Sequence, residues 1–571
     1  MKKNVTEYLK REKELQSRRI HWESEWQRAA EYVHLRKADF QQSREPGAFI
    51  GYQLWTDDPI HMAETSSSAF LGYVWGSGVK SFKLKGNSNI FEKDKEMIDF
   101  WAEATEILQN EMADQDAGLA VTLDETMLDL VTFGTDAVYI EERNTDNPQL
   151  GCLRFEPWSV MNFALAEGVN NKADTFYRRK EYTIKSLVET YGLENVSKES
   201  RDAFKEGKDI NKRIKVLHII EPRLEKYRVE NSKAAKDMPW ASIHIEIDRQ
   251  KILRESGFPE LPVACARLSS RVTEEYGRGF AMNAIPSIMK LNQVWEDYFM
   301  MLEQGADPAM YQLHDCVTGS GYIDASAGAV NVLRVDKAQG NFPPVGKLFD
   351  MQDPRFIPEV IQKLTDTISQ HFKIDRLIDL NNDTQMTRGE AFLRNNIRQS
   401  TLRSPVSRLL LEKFDPIINV SFQICLRRNK FGYFPGDPVA LAMENNGKEV
   451  KYLPQAFLDA LEAEEDLFDV DYLTPAARDM MSEEGQGMVE MLQLIGQGAG
   501  FDQNLPKRID WDWTLTRLSD IKGADKRMWR DDGEVQQEIQ KEQEAMQQQQ
   551  QMQLAQMATN VAGSSVSNAQ G

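Results

Sequence analysis

The longest amphipathic pattern in the chain begins at Thr387 and continues to Lys430. Residues 387–390 (T-R-G-E) fit a capping box, in which the threonine and glutamate side chains each bond the other's free backbone N–H. The spacing that follows predicts a helix of roughly 60 Å. Pro405 and Pro416 lie inside it and predict two kinks, because an interior proline removes a backbone hydrogen bond. The apolar positions that share one face of this helix are Phe392, Leu393, Ile397, Leu402, Val406, Leu409, Leu410, Phe414, Ile417, Ile418 and Ile424.

The same spacing predicts further helices in the first part of the chain. Gly134 is expected to end the last of them, since glycine readily adopts the left-handed conformation at a helix C-terminus. The predicted ranges are 4–37, Thr56 to about Gly76, about 90–114, and Leu119–Phe133. One face of the first helix carries apolar side chains at Leu15, Trp22, Trp26, Ala29, Ala30 and Val33.

The middle of the chain shows the alternation of apolar and polar residues that is typical of β-strands. Because these strands lie mostly near one another in sequence, the region is predicted to be α+β with local strand pairing. The predicted strands are Ala137–Ile140, Cys152–Phe155, Thr175–Arg178, Ile214–Ile220 and Ser242–Ile247.

A helical hairpin is predicted next, from about Ala284 to Glu303 and from Pro358 onward. Asp307–Gln352, between the two helices, is rich in glycine and proline, which indicates a small β-rich module at the tip. Asp375–Met386 then leads to the long helix and carries four short polar side chains, Asp379, Asn381, Asn382 and Asp383. After the long helix the pattern is broken and acidic, with one further helix predicted from Pro475 to about Gln497. Residues 531–571 are rich in glutamine, and the last of them are expected to be disordered.

Composition places the chain among globular proteins with a sizeable core, since 41% of its 571 residues are hydrophobic and 28% are charged. At about 150 residues per domain, this length suggests three or four domains. The formal net charge of −20 argues against a general nucleic-acid clamp, which would need cations to displace the counterions of phosphates. Ordinary solubility is the simpler interpretation of this charge.

Targeting signals and cysteine patterns add little. No apolar run is long enough to cross a bilayer and the first residues do not resemble a signal peptide, so no membrane association is expected. The four cysteines are far apart and form no C-x-x-C pair, so a reducing compartment without disulfides or zinc is expected.

Candidate catalytic motifs each lack a necessary part. Residues 76–81 (G-S-G-V-K-S) resemble a phosphate-binding loop, but Val79 stands where a glycine must precede the lysine. The seven histidines form no metal-ligand motif, and the adjacent residues 314–316 (H-D-C) rarely aim at one point. The pairs Asp469/Asp471 and Asp510/Asp512 have strand spacing and are interpreted as solvated acidic edges rather than as metal ligands. We therefore predict no catalytic, cofactor-binding or metal site, and no enzymatic activity.

Two basic stretches, 178–180 (R-R-K) and 427–428 (R-R), lack the interleaved aromatic residues of a base-stacking surface. Helix-end or intersubunit ion pairing is favoured for them, with phosphate contact as the alternative. His218 and His244 fall in predicted strands and are interpreted as packed or hydrogen-bonded histidines.

Several stretches of the sequence occur in an order and at spacings that are typical of one family. They are Asp174–Arg179, Val216–Arg223, Glu275–Gly279 leading into Ala284–Asn292, Thr387–Glu390 followed by Arg408, Glu412 and Pro416, and Asp471–Arg478. Through these stretches, roughly residues 5–540 resemble the head-to-tail connecting (portal) proteins of short-tailed, podovirus-type bacteriophages.

The resemblance implies an α+β, predominantly helical fold with the parts of a portal subunit. These parts are an α/β wing, a stem made of a helical hairpin, a small α/β clip, a long kinked helix that runs from tunnel to wing, and a helical crown. The expected boundaries are 1–281 for the wing, 282–306 and 353–374 for the stem helices, 307–352 for the clip, 375–386 for the tunnel loop, 387–430 for the long helix, 431–530 for the outer wing and crown, and 531–571 for the glutamine-rich tail.

As the resemblance implies, twelve copies would form a ring at one capsid vertex of the virion, after assembly in the host cytoplasm. Double-stranded DNA would pass through the ring without sequence specificity, both when the terminase motor packages it and when it is ejected. A tail adaptor, the major capsid protein and scaffolding proteins would be the other partners, with no cofactor and no membrane. Asp379, Asn381, Asn382 and Asp383 would face the channel.

Two other classes of protein compete with this interpretation. A DNA-packaging enzyme, such as a nuclease or an ATPase subunit, would need the phosphate loop or the clustered carboxylates that the sequence lacks. A scaffolding or internal virion protein without a channel is the other alternative, and the β-rich middle region and the hairpin module disfavour it.

Overall fold

The computed structural model contains both helices and sheets. It describes residues 4–41, 47–48, 51–76, 81–87, 95–143, 151–207, 209–223, 234–235, 237–271, 273–306, 310–312, 345–347, 354–378, 400–445, 450–463, 467–498, 509, 511, 514–515 and 517–518.

The helices of the described residues are α1 (Val5–Tyr32), α2 (Asp58–Val74), α3 (Lys95–Ala113), α4 (Leu119–Phe133), α5 (Ile184–Tyr191), α6 (Lys198–Glu206), α7 (Phe280–Ala306), α8 (Ile357–His371), α9 (Ile374–Leu377), α10 (400–409), α11 (Asp415–Arg427), α12 (Pro438–Asn445), α13 (Gln455–Glu462) and α14 (Pro475–Gly498). The strands are β1 (Phe82–Gly86), β2 (Thr135–Glu142), β3 (Leu153–Trp158), β4 (Phe163–Glu167), β5 (Ala173–Thr183), β6 (Arg213–Pro222), β7 (Trp240–Glu246), β8 (Lys251–Phe258), β9 (Val263–Arg267), β10 (Met310–Gln312), β11 (Val345–Lys347) and β12 (Phe468–Tyr472).

The middle region is built from two antiparallel sheets. Strands β4 to β8 form a five-stranded sheet in sequence order, and β2 lies between β3 and β9 in a three-stranded sheet. The predicted pairing of strands that are close in sequence is confirmed for the larger sheet. The sequence did not predict β4, β8 or β9. β9 is short and apolar, a pattern that periodicity alone does not assign to a strand.

One compact unit contains Met1–Gly76 and Met112–Ile424. Helix α1 turns its aromatic face into the core of this unit. Trp26 is fully buried there and donates from its indole N–H to the carbonyl of Phe133 at 3.2 Å. The predicted face of the first helix is therefore confirmed, although α1 ends at Tyr32 and a short 3-10 turn, Leu35–Lys37, follows it.

The second unit contains Ser77–Glu111 and Cys425–Gly571. In it β1 pairs with β12, which lies almost four hundred residues away in the chain. Lys83 stands opposite Asp471 and Lys85 opposite Asp469, so each of these carboxylates faces a lysine across the two strands. The sequence predicted a solvated acidic edge for Asp469 and Asp471, and the structure in addition places a lysine opposite each of them. Asp510 and Asp512 lie outside the described residues.

The outer edge of β1 is covered by two side chains of α3, one helical turn apart. The Thr105 hydroxyl accepts from the Leu84 N–H at 3.0 Å, and the Gln109 amide donates to the Phe82 carbonyl at 2.6 Å. Side chains therefore satisfy backbone groups that a third strand would otherwise pair.

The long helix is described from residue 400 as α10, a π-turn at Leu410–Phe414, and α11. Its predicted start at Thr387 lies outside the described residues. α10 runs through Pro405 without a break, whereas the π-turn immediately precedes Pro416. The proline at 416 has no N–H to donate, which favours a wider turn at this point.

Candidate functional site

A backbone junction lies where the segment before α7 crosses the turn between α4 and β2. A Cβ atom on Gly134, Gly277 or Gly279 would come within 2.2–2.3 Å of backbone atoms of the facing segment. The N–H of Gly277 donates to the hydroxyl of Thr135 at 2.9 Å. Residues 275–279 are one of the stretches that the sequence singled out, and the structure gives a physical reason: Gly277 and Gly279, together with Gly134, allow two backbones to touch.

Tyr276, inside the same motif, fixes α1 to this junction. Its ring packs against Trp22 and Trp26, with ring centroids 5.8 and 5.1 Å away. Its hydroxyl accepts a hydrogen bond from the Leu165 N–H at 3.2 Å. Burial raises the pKa of Tyr276 to about 12, so the phenol stays neutral and serves as a packing and hydrogen-bonding group.

Arg267, at the end of β9, is buried beside the junction and joins three parts of the chain. Its backbone N–H and Nε donate to Oε2 of Glu412 at 3.1 and 3.3 Å, and Nη2 donates to Oε1 at 3.1 Å. Nη1 pairs with Glu167, and Nη2 also donates to the carbonyl of Asn171 at 2.6 Å. Burial alone would lower the pKa of Arg267, but hydrogen bonding to Glu412 outweighs it and raises the pKa, so the guanidinium stays charged.

A second buried ion pair joins Lys413 of the π-turn to Asp136 of β2. Neither side chain has any solvent exposure, and Lys413 Nζ also donates to the hydroxyl of Thr126 at 2.9 Å. Burial raises the pKa of Asp136; Lys413 opposes this shift, and nearby Asp129 adds to it. Asp129 itself pairs with Lys37 at 2.8 Å. We refer to Asp136, Arg267, Glu412 and Lys413 as the charged junction.

The sequence did not predict the charged junction as a cluster. Glu412 was singled out only as part of a family motif. One signal in the sequence could have indicated this cluster. Lys413 lies between Leu410 and Phe414 on the apolar stripe of the long helix, and a charge at such a position needs a buried partner. Within the described part of the chain, no group of three His, Cys, Asp or Glu residues could hold a metal ion. The charged junction is an arrangement of ion pairs.

The basic stretch at 178–180 lies on β5 and is paired within its own chain, so the prediction of a helix-end position is wrong for it. Arg178 and Lys180 donate to Glu156 at 3.0 and 2.7 Å, and Arg179 pairs with Glu12. Burial alone would raise the pKa of Glu156, but Arg178 and Lys180 outweigh it and lower the pKa to about 2. In the other stretch, Arg427 lies in the last turn of α11, a helix-end position that suits a cation.

His218 and His244 are stacked on adjacent strands, with ring centroids 4.0 Å apart and planes inclined by 14°. A hydrogen bond of 3.1 Å joins His218 Nε2 and Ser242 Oγ, and one of 2.9 Å joins His244 Nδ1 and the Tyr191 hydroxyl. Burial and the charge of Arg254 lower the pKa of His244 to about 3, so both rings are packed and neutral near pH 7. The interpretation of these residues as packed or hydrogen-bonded is confirmed.

The predicted helical hairpin is confirmed as α7 and α8, which pack against each other. Beyond residue 293 the described side chains of α7 are all at least partly exposed. Trp55, Trp295 and Phe299 form an aromatic group there, with 5.4 Å between the last two rings and 6.2 Å between Trp55 and Phe299. We call this end of the two helices the distal hairpin; its large exposed apolar side chains are Phe299, Met300, Leu302, Phe356 and Val360.

The predicted channel-facing residues Asp379, Asn381, Asn382 and Asp383 lie outside the described residues. Of the predicted clip, Asp307–Gln352, the structure describes the antiparallel pair of β10 and β11. Among the described residues, no helix has the length and apolar character needed to span a membrane.

Comparison with known proteins gives one family. The family described as "Bacteriophage head to tail connecting protein" matches residues 5–529 of the chain. The portal protein of Salmonella phage epsilon15 is 23% identical over 535 residues, which cover 90% of this chain and 87% of that protein. A probable portal protein of Bordetella phage BPP-1 is 25% identical over 279 residues, which cover 47% of this chain and 48% of that protein.

Proposed function

The chain belongs to the bacteriophage head to tail connecting protein family and functions as a phage portal, and we propose that twelve copies form a closed ring around a DNA channel at one capsid vertex. Its role in the ring is structural, with no catalytic step and no cofactor. The ring assembles in the host cytoplasm and remains in the virion.

The distal hairpin is the observation that supports ring assembly. Phe299, Leu302 and Phe356 are 42%, 40% and 60% exposed on this part of the two helices. Contiguous exposed apolar surface of this kind marks an interaction site. When a surface of one copy meets a different surface of the next copy and the rotation between copies closes, the copies form a ring.

Substitution on this surface tests the proposal. Phe299→Ser with Leu302→Ser is expected to reduce the ring fraction about tenfold, because each subunit interface loses buried apolar area. Mass photometry measures the ring fraction, and far-UV circular dichroism checks that the subunit keeps its helices. Val121→Ser is the matched control, since Val121 is 72% exposed on α4 and is not one of the apolar side chains of the distal hairpin. Rings that persist at the wild-type fraction would place the subunit interface elsewhere.

The remaining parts follow from the same proposal. α7 and α8 form the stem, 307–352 the clip that meets the terminase motor and then the tail adaptor, and 375–386 the loop that faces the DNA. Major capsid and scaffolding proteins contact the outer part of the ring. Such a channel has to hold phosphates weakly if DNA of any sequence is to slide, and a net charge of −20 is in keeping with this.

A further inference from the structure

The π-turn at Leu410–Phe414 interrupts the regular hydrogen bonding of the long helix. The Asp415 N–H donates to the carbonyl of Leu410, five residues back, instead of to the residue four back. A turn of this kind accommodates one residue more than an α-helical turn. Return to the α-helical pattern would therefore rotate α10 by about 100° relative to α11 and shift it by about 1.5 Å.

Three consecutive side chains of this turn contact the body of the same unit. Glu412 is held by Arg267, Lys413 by Asp136 and Thr126, and the Phe414 ring stacks on Trp75 with centroids 4.6 Å apart. In an α-helix, three consecutive residues would spread over about 200° of the helix surface. A π-turn has more residues per turn, so the angle between successive side chains is smaller than in an α-helix. Glu412, Lys413 and Phe414 can therefore all reach partners on the same side of the helix, while Leu411 stays 52% exposed.

The charges penalise any other register. If α10 and the turn shifted by one residue, Glu412 and Lys413 would leave their partners. Arg267 would keep only Glu167, and Asp136 would remain buried without a counter-charge. Such isolated buried charges are strongly unfavourable, whereas an intact buried pair adds little net stability compared with apolar side chains of similar size. Buried polar groups of this kind are best attested as devices that specify register.

We propose that the Lys413–Asp136 pair fixes the register of the long helix at its π-turn and so determines which face α10 turns toward the core. Given the proposed function, α10 leads from the wing toward the channel loop, so this register sets how that loop is presented. The inference itself concerns contacts within one subunit and does not depend on ring formation.

Thiol labelling of the full-length chain measures which face of α10 is exposed and so reports the register of the helix. Val406 is buried and Ser407 is exposed, so a maleimide should react with Ser407→Cys more than about tenfold faster than with Val406→Cys. Cys316→Ser provides the background, since Cys152, Cys265 and Cys425 are buried. In Asp136→Leu with Lys413→Met, the ratio of the two rates should fall below about threefold, because a second register turns residue 406 outward.

Three further variants separate a register change from other effects. Deleting Leu411 from the apolar double variant removes the extra residue, and the labelling ratio should return because an uninterrupted helix again buries Val406. Lys430→Met with Glu111→Leu removes another ion pair, of 2.6 Å, and should leave the ratio unchanged. Pro416→Ala in the charged chain should also leave it unchanged, because the charges still hold the turn.

The outcomes decide the inference. An unchanged ratio in the apolar double variant, failure of the Leu411 deletion to restore it, or loss of the ratio in Pro416→Ala alone would each overturn the role of Lys413 and Asp136. Ring formation is measured separately on the same samples. A chain that shows the expected ratios but forms no rings would contradict the proposed function and leave the inference intact.

Discussion

Lys413 and Asp136 form an ion pair in which neither side chain is exposed to solvent. The pair joins the π-turn of the long helix to β2 and is completed by the Thr126 hydroxyl. Burying two charges costs hydration free energy, and their mutual attraction roughly offsets that cost. Removing one partner leaves the cost of the other uncompensated, so the pair's contribution to stability depends on both partners being present.

Lys413→Met should lower the free energy of unfolding by about 3–5 kcal/mol, because it leaves Asp136 buried without a counter-charge. Lys413→Met combined with Asp136→Leu should recover most of this loss, since neither charge then remains. Urea unfolding followed by tryptophan fluorescence measures both variants. A double variant as unstable as the single one would mean that the lost contacts, and not the isolated charge, carry the effect.

Gly279→Ala should destabilise the fold by about 1–3 kcal/mol, the usual cost of overpacking, or prevent folding. The added Cβ would lie 2.3 Å from the carbonyl oxygen of Thr132, a backbone atom that cannot move aside cheaply. Gly72→Ala is the control: it lies inside α2 with no atom within 4 Å of the added Cβ, and it should stabilise by up to about 1 kcal/mol. Thermal melting compares the two variants, and equal melting temperatures would contradict the close backbone approach at the junction.

Glu156 should make the protein less stable in acid. Its pKa is about 2 in the folded chain, against 4.5 for a free glutamate, so ionised Glu156 stabilises the fold above about pH 4.5. That contribution, about 3 kcal/mol at most, is lost as the pH falls from 4.5 toward 2.

Glu156→Gln should therefore lower stability at pH 7 and flatten its dependence on pH below 4.5. Glu181→Gln is the matched control, because its pair with Arg213 is 3.5 Å long and exposed, and such pairs contribute about 0–1 kcal/mol. Urea midpoints between pH 2.5 and 7 give the comparison. Parallel pH profiles for wild type and Glu156→Gln would show that this carboxylate does not govern acid stability.

The sequence predicted those parts of the fold that depend on local pattern. Helical spacing from about Ala284 to Glu303 predicted α7, and the strands of the larger sheet follow one another in the chain, so local signals were enough. The pairing of β1 with β12 joins segments almost four hundred residues apart, and a short strand carries no mark of a distant partner.

The candidate site was predicted only in part, for similar reasons. Pro416 indicated a disturbance of the long helix, but its form as a π-turn depends on the partners of Glu412 and Lys413, which come from β9 and β2. The basic stretch at Arg178 was misinterpreted because its partner, Glu156, lies on another strand. Burial and partner identity are properties of the packed chain, and a linear pattern reports neither.

The predicted channel loop gives a test in the assembled particle. Asp379→Lys with Asp383→Lys should leave ring assembly intact and slow DNA packaging or ejection, because lysines add a salt-dependent attraction to phosphates. The effect should be largest at low salt, where screening is weakest. Packaging and ejection rates of phage carrying the double variant, measured across a salt series, give the result; wild-type rates throughout would mean that this loop does not face the DNA.

Electron microscopy of the purified full-length protein tests the central claim most directly. Class averages viewed along the symmetry axis count the subunits and reveal whether a channel runs through the particle. The account predicts closed rings of twelve subunits with an open central hole. Particles that are only monomers, open filaments or solid assemblies without a hole, over a range of salt and protein concentrations, would contradict it.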